Sequence, residues 1–104
     1  MNSWIEKVSV VGGCTLQLTT VSKPARTVRE MNATIFNLCR ELELRSPNDA
    51  RWIVQAGFLS HAGSGRYSFT VTIEPATSSD TEASIIADLL NKLAANIRQD
   101  SFYV

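Results

Sequence analysis

The sequence predicts a two-layer α+β sandwich with the element order ββαββα, in which two helices cover one face of a four-stranded antiparallel sheet. Three observations predict this fold. Apolar and polar residues alternate in the predicted strands, which indicates a sheet with one buried face and one polar face. Two other segments carry apolar residues at spacings of three and four, which indicates amphipathic helices. The two halves of the chain also follow one plan.

Two hairpins account for the four strands. The first joins residues 4–11 to residues 14–21 through Gly12-Gly13, a pair that readily adopts the positive φ angles of a tight hairpin turn. The second joins residues 51–59 to residues 66–74. The central outward positions of the second and fourth strands carry hydroxyl and amide side chains: Thr15, Gln17, Thr19, Ser68, Thr70 and Thr72. RNA-binding sheets present aromatic rings at such positions, so sequence-specific RNA binding on this face is not expected.

Helices are predicted over residues 28–44 and 80–99. Each is preceded by a capping box, in which a hydroxyl caps the first turn and a glutamate reaches back to the backbone. The boxes are Thr27 with Glu30 and Ser79 with Glu82. The predicted core-facing stripes are Val28, Met31, Ile35, Leu38 and Leu42 in the first helix, and Ala83, Ile86, Leu90, Leu93 and Ile97 in the second.

The chain is expected to be a single domain, residues 1–104, built from pseudo-repeats 4–44 and 52–99 and ending in a tail, 100–104. Aligning Pro24 with Pro75 gives an offset of 51 (75 − 24), at which the apolar positions of the two helices coincide. If a pseudo-twofold axis relates the halves, two equivalent strands meet at the centre. Adjacent charges in the first strand suit a sheet edge, so the predicted order is 1-2-4-3. This is the ferredoxin-like layout with its last strand moved to the front.

The charge balance argues against nucleic-acid and membrane partners. Ten Lys and Arg residues are matched by ten Asp and Glu residues, so no net positive field attracts polyanions or anionic lipid. A net charge near zero also removes a barrier to self-association. The first residues do not resemble a secretory signal, and no apolar run approaches the roughly 20 residues of a membrane span. The expected location is the cytoplasm.

The segment SHAGSGRYSFT, residues 60–70, contains the only histidine of the chain. One interpretation is a loop that binds a phosphate or carboxylate through backbone N–H groups and the side chains of His61, Ser64 and Arg66. The other interpretation, which we favour, is an ordinary hairpin bend, since Gly and Ser are typical turn residues. The segment lacks the lysine of a phosphate-binding P-loop and the third glycine of a dinucleotide fingerprint.

The metal-binding and nucleophilic side chains form no recognisable set. One histidine and two distant cysteines do not make a metal site, and no cofactor is expected. His61 has no partner at a diagnostic spacing, so the sequence favours a protein that is not an enzyme. Cys14 and Cys39 can approach each other in the core. Free thiols are the favoured interpretation in a reducing compartment, and a disulfide stays an alternative.

The predicted function is that of a small non-catalytic binding or assembly module. Its interface is expected on the outer sheet face, at Ile5, Val11, Ile53 and Leu59, and in the tail, at Phe102 and Tyr103. An equally weighted alternative is that the four residues of the sheet face are scattered exposed apolar side chains of the kind that every protein has. The expected partner is a second copy of the chain, forming a homodimer or larger oligomer, or another protein. An alternative is a protein that binds a small anionic ligand at residues 60–66, and a third is an enzyme that uses His61.

Overall fold

The predicted sandwich and its strand order are confirmed. A computed structural model describes residues 4–47, 51–59, 63–75 and 80–98. Its elements, in chain order, are β1 (Ile5–Val11), β2 (Thr15–Thr20), α1 (Val28–Glu43), β3 (Ile53–Leu59), β4 (Ser68–Glu74) and α2 (Asp80–Arg98). The four strands form one antiparallel sheet in the order β1-β2-β4-β3. Each strand lies within its predicted limits but is shorter by one or two residues at one end or both.

The two central strands show the predicted alternation. Leu16 and Leu18 of β2 lie opposite Val71 and Phe69 of β4, and all four are buried against the helices. Thr15, Gln17, Thr19, Thr70 and Thr72 alternate with these core residues as predicted, whereas Ser68 is only 7% exposed, which corrects its predicted outward exposure. The turn between β1 and β2 also forms as expected, with φ values of 64° at Gly12 and 77° at Gly13, which suit glycine because it has no Cβ.

A β-bulge in β1 corrects the predicted position of Ile5. Ile5 pairs with Thr20, but Lys7 pairs with Thr19, so the extra residue Glu6 shifts the register. Such a shift reverses which residues face the core on the two sides of the bulge. Ile5 therefore lies in the hydrophobic core, only 9% exposed, and not on the outer face.

Each helix packs on the strands of the other half of the chain. Helix α1 lies over β3 and β4, and α2 lies over β1 and β2. A groove between the helices shows the pseudo-twofold symmetry directly. Its eight lining residues form four pairs at the offset of 51: Leu38 with Leu89, Glu41 with Lys92, Leu42 with Leu93, and Arg45 with Asn96. The two halves therefore share one architecture, and each half packs its helix on the hairpin of the other half.

The helix ends agree with the prediction in part. The first capping box is present, because Thr27 Oγ1 accepts from the N–H of Glu30 and Glu30 Oε1 accepts from the N–H of Thr27. Ser79, in the second box, lies outside the described residues. The predicted core stripe of α2 needs one correction, since Ala83 is exposed and the neighbouring Glu82 is buried. Glu82 Oε1 accepts a hydrogen bond from Trp52 Nε1 at 2.9 Å.

Cys14 and Cys39 are free thiols. Cys39 is buried in the core and Cys14 is half-buried beside the first turn. Burial, followed by the nearby charge of Glu43, raises the pKa of the Cys39 thiol. The Cys39 side chain is therefore expected to remain protonated and unreactive near neutral pH. Of the helices described, neither has the length and apolar character needed to cross a bilayer.

Candidate interaction surface

The edge strand β3 lacks the usual devices that prevent an edge from pairing with another strand. Its residues, IVQAGFL, include no charge and no proline, and its pairing with β4 is regular from Ile53 to Leu59. Natural edge strands are usually protected by charges, prolines or bulges. The one glycine has a local reason, because a Cβ at Gly57 would lie 2.5 Å from Thr70 Oγ1. Among the residues that the structure describes, no strand lies beyond β3, and nothing in its sequence opposes pairing with a further strand.

The opposite edge of the sheet is protected. Strand β1 contains the bulge at Glu6, and both Glu6 and Lys7 are exposed. Bulges and charges of this kind twist an edge and make its pairing with another chain costly. The contrast between β1 and β3 is a departure from the internal symmetry.

The exposed aliphatic residues predicted for the interface are distributed unevenly over the outer face. Val11 is 51% exposed, Ile53 55% and Leu59 57%. Val11 lies on β1, whereas Ile53 and Leu59 lie at the two ends of β3. The strip between the edges is formed by hydroxyl and amide side chains, with Thr15 Oγ1 and Thr72 Oγ1 in contact at 3.1 Å. The apolar part of the outer face is therefore concentrated at β3. Phe102 and Tyr103 lie outside the described residues.

A groove of about 470 Å³ runs along the inner side of the same strand. It lies between α1 and β3, and its most exposed aromatic walls are Phe36, 61% exposed, and Phe58, 43% exposed. Phe58 packs against Tyr67, with ring centroids 6.0 Å apart, and against Phe69, with centroids 5.0 Å apart. Aromatic side chains thus extend from the core to the surface at this edge. Large exposed aromatic residues are typical of protein-binding surfaces.

The equivalent position in the other half of the molecule is closed. At the offset of 51, Phe36 corresponds to Ala87 of α2, which is half-buried. Helix α2 covers β1 well enough that Val8 is only 4% exposed. In this half of the molecule, therefore, the helix covers the middle of its edge strand. The exposed Phe36 beside β3 is thus a local difference between the two halves.

The described part of the loop between β3 and β4, for which anion binding is the alternative interpretation, is held against the segment that follows β2. Ser22 Oγ donates to the carbonyl oxygen of Ser64, and the Lys23 N–H donates to the carbonyl oxygen of Gly65 at 3.0 Å. Arg66 donates through Nε to Glu6 Oε2 at 2.9 Å and through Nη2 to Glu6 Oε1 at 3.1 Å. The guanidinium fork thus already holds a carboxylate of the same chain. Of the three predicted ligand-binding residues, His61 lies outside the described residues, Ser64 accepts from Ser22 through its carbonyl oxygen, and the side chain of Arg66 is paired with Glu6.

The ion pair between Glu6 and Arg66 gives a testable dependence on pH. The hydrogen bond from Arg66, with its charge, lowers the pKa of the Glu6 carboxyl. A carboxyl whose pKa is lowered by folding stabilises the fold above its unfolded pKa of about 4.3, and this contribution is lost as the pH falls through the lower folded value. We expect Arg66→Gln to return the Glu6 pKa towards its usual range in a carbon-detected NMR titration. Lys7→Gln, next in the sequence to Glu6, is the control and should not do so; an unchanged Glu6 pKa in Arg66→Gln would contradict the assignment.

Sequence reasoning missed several residues of this surface. Phe36 and Phe58 carry no local signal, because the exposure of an aromatic side chain within a helix or strand depends on how the elements pack. The uncharged sequence of β3 was the available signal for an open edge. Within the described part of the chain, His, Cys, Asp and Glu side chains form no group of three that could hold a metal ion. Comparison with protein-family models, curated proteins and solved structures finds no match to this chain.

Proposed function

We propose that this protein is a small non-catalytic assembly module that binds a second copy of itself through a surface centred on β3. The observation that carries the proposal is the combination of an unprotected edge strand with exposed apolar residues on both sides of it. Ile53 and Leu59 are exposed on the outer face, and Phe36 and Phe58 are exposed around the inner groove. These residues lie on both faces of β3 and on the neighbouring helix α1, whereas the other edge strand, β1, carries a bulge and exposed charges.

The charge of the chain is compatible with this partner. A net charge near zero means that two identical copies do not repel each other strongly. The described residues of β3 carry no charge that would have to lose its hydration in the contact, and the charged residue of the adjoining groove is Arg29 of α1. Desolvating an unpaired charge is costly, so an uncharged strand is favourable at the centre of an interface.

Two matched substitutions on the outer face test the proposal. Ile53 of β3 and Val11 of β1 have similar exposure, 55% and 51%, and both are at sheet edges. We expect Ile53→Glu to weaken self-association in sedimentation velocity by about tenfold or more, because it places a charge in the buried contact. Val11→Glu should have little effect.

The outcomes separate three possibilities. If both substitutions weaken the assembly equally, the contact uses the whole outer face and is not centred on β3. A chain that remains monomeric at every concentration up to several hundred micromolar would contradict self-association itself. Circular dichroism of both variants should match the unmodified protein, since neither side chain lies in the core.

A further inference from the structure

We propose that two copies pair along β3 as antiparallel neighbours with Ala56 on the twofold axis. The sheets of the two copies then form one continuous sheet, in the order β1-β2-β4-β3-β3-β4-β2-β1. This inference rests on the proposed self-association and specifies its geometry. Three features of the structure support it: the direction of the free backbone groups, the sequence symmetry of β3, and the position of α1.

The backbone direction follows from the hydrogen bonds of β4. The Ile73 N–H donates to the carbonyl oxygen of Cys14, and the Tyr67 carbonyl oxygen accepts from Thr20, both at 2.9 Å. The backbone N–H and C=O groups of the odd-numbered residues of β4 therefore point towards β2, and those of the even-numbered residues point towards β3. The partners of these even-numbered residues in β3 are Ile53, Gln55, Gly57 and Leu59.

The backbone N–H and C=O groups of the other residues of β3 are then directed away from β4, towards the free side of the strand. These are Val54, Ala56 and Phe58, and no described strand lies on their far side. An antiparallel pair uses both the N–H and the C=O of every second residue. Pairing centred on Ala56 places Ala56 opposite its copy and Val54 opposite Phe58. The free backbone groups of Val54, Ala56 and Phe58 are thus all used in hydrogen-bonded pairs.

The sequence of β3 is close to symmetric about the same residue. Centring on Ala56 pairs Ile53 with Leu59 on the outer face and Val54 with Phe58 on the inner face. Cross-strand pairs of large apolar residues stabilise a sheet. Gln55 lies opposite Gly57, which has no side chain and leaves room for it. A centre at any other residue of β3 pairs fewer of the residues from Ile53 to Leu59.

Helix α1 adds a second layer to the contact. The groove between α1 and β3 opens at the edge where the second copy pairs, and Phe36 lies on its helical wall. The twofold axis places the α1 helices of the two copies side by side across the joined edge. Phe36 of each copy is then adjacent to the groove of the other. Burial of two large aromatic side chains from each copy strengthens what main-chain pairing alone provides.

Disulfide cross-linking tests the register. In a hydrogen-bonded antiparallel pair, opposite Cα atoms are about 5.5 Å apart, which falls within the range of natural disulfides. We expect Ala56→Cys, in a chain carrying Cys14→Ser, to form a disulfide-linked dimer on mild oxidation. Gln55→Cys is the matched control. Its two copies are displaced from each other along the strands, beyond the ~7 Å that a disulfide can bridge, and should not cross-link.

Proline substitutions test the hydrogen bonds. Ala56→Pro removes an N–H that is directed away from β4, so the monomer should keep its fold, while the dissociation constant should rise by about tenfold or more. Gln55→Pro removes an N–H used in pairing with β4 and should destabilise the monomer itself. If Ala56→Pro does not fold, Ala56→Lys provides the same test, because its charge lies in the contact without altering the backbone.

Each outcome decides the proposal. A dimer that cross-links at Ala56 and dissociates in Ala56→Pro or Ala56→Lys supports it. A dimer that cross-links through Gln55→Cys has a different register and overturns it. A dimer unaffected by any change at Ala56 uses another surface, so self-association stands and this geometry falls. A monomer in which the amides of Val54, Ala56 and Phe58 are protected from hydrogen exchange has the edge covered from within its own chain, which overturns both proposals.

Discussion

Residues 1–50 and residues 51–104, prepared as separate fragments, should each be unfolded in isolation and should recover the native fold when mixed. The reason is the exchange of helices between the two halves. Helix α1 packs on β3 and β4, and α2 packs on β1 and β2. Each isolated half therefore keeps a hairpin and a helix but loses the surface on which that helix lies. A two-stranded hairpin alone has little stability in water, and a chain of this length buries too little surface.

Far-UV circular dichroism of each fragment and of their equimolar mixture measures this effect directly. We expect a cooperative thermal transition in the mixture only. The control is a first fragment carrying Leu42→Asp, which places a charge at a buried position of α1 and should prevent recovery. If either fragment alone is monomeric and melts cooperatively, the exchange of helices does not contribute to stability as described.

Trp52→Ala should destabilise the protein by about 3–5 kcal/mol, the usual cost of removing a large buried aromatic side chain. Trp52 is 1% exposed and immediately precedes β3. Its N–H donates to Ser46 Oγ at 3.0 Å, close to the end of α1. Its indole N–H donates to Glu82 in the first turn of α2. This one residue therefore connects the end of one helix to the start of the other.

A double-mutant cycle separates the indole hydrogen bond from packing. Glu82→Leu should cost about 1–3 kcal/mol, because the buried indole N–H loses its acceptor. Combined with Trp52→Phe, it should cost less than the sum of the two single changes, since both partners are then apolar. Urea denaturation provides the free energies of unfolding. Leu44→Ala is the control, as Leu44 is 82% exposed and should change stability by about 0.5 kcal/mol at most. Strict additivity would contradict the role assigned to the bond.

The parts of the fold that depend on local patterns could be predicted from the sequence. Alternation predicted the two faces of β2 and β4, and Gly12-Gly13 predicted the first turn. The match of the helices at an offset of 51 predicted the pseudo-twofold arrangement, from which the strand order followed. These features depend on residues that are neighbours along the chain or on the repeat itself, so a single sequence contains the information.

The features that the sequence did not predict depend on pairing between distant segments. Simple alternation along β1 places Ile5 on the outer face. The bulge at Glu6, which reverses this, is defined by the pairing of β1 with β2. The local sequence indicates a capping role for Glu82. Its hydrogen bond from Trp52 joins the residue that precedes β3 to α2 and forms only in the folded chain. The ion pair between Glu6 and Arg66 joins residues 60 positions apart. No local periodicity indicates contacts of this kind.

One feature of the sequence, the composition of β3, indicates the proposed surface, although the periodicity of the chain does not. Strand β3 is uncharged and nearly symmetric about Ala56, but this matters only once β3 is known to be an edge. Phe36 and Phe58 likewise become significant only when α1 is placed beside that edge. The structure supplies this placement, and the unprotected edge then follows from residue chemistry.

The most direct test of the central proposal is an isotope-filtered NOE measurement on an equimolar mixture of labelled and unlabelled protein. This measurement detects only contacts between different copies. Pairing along β3 predicts contacts from Val54 of one copy to Phe58 of the other, together with contacts between the two copies of Ala56. Contacts confined to Val11 and Gln17 of the outer face, or no contacts between copies at concentrations of several hundred micromolar, would contradict it.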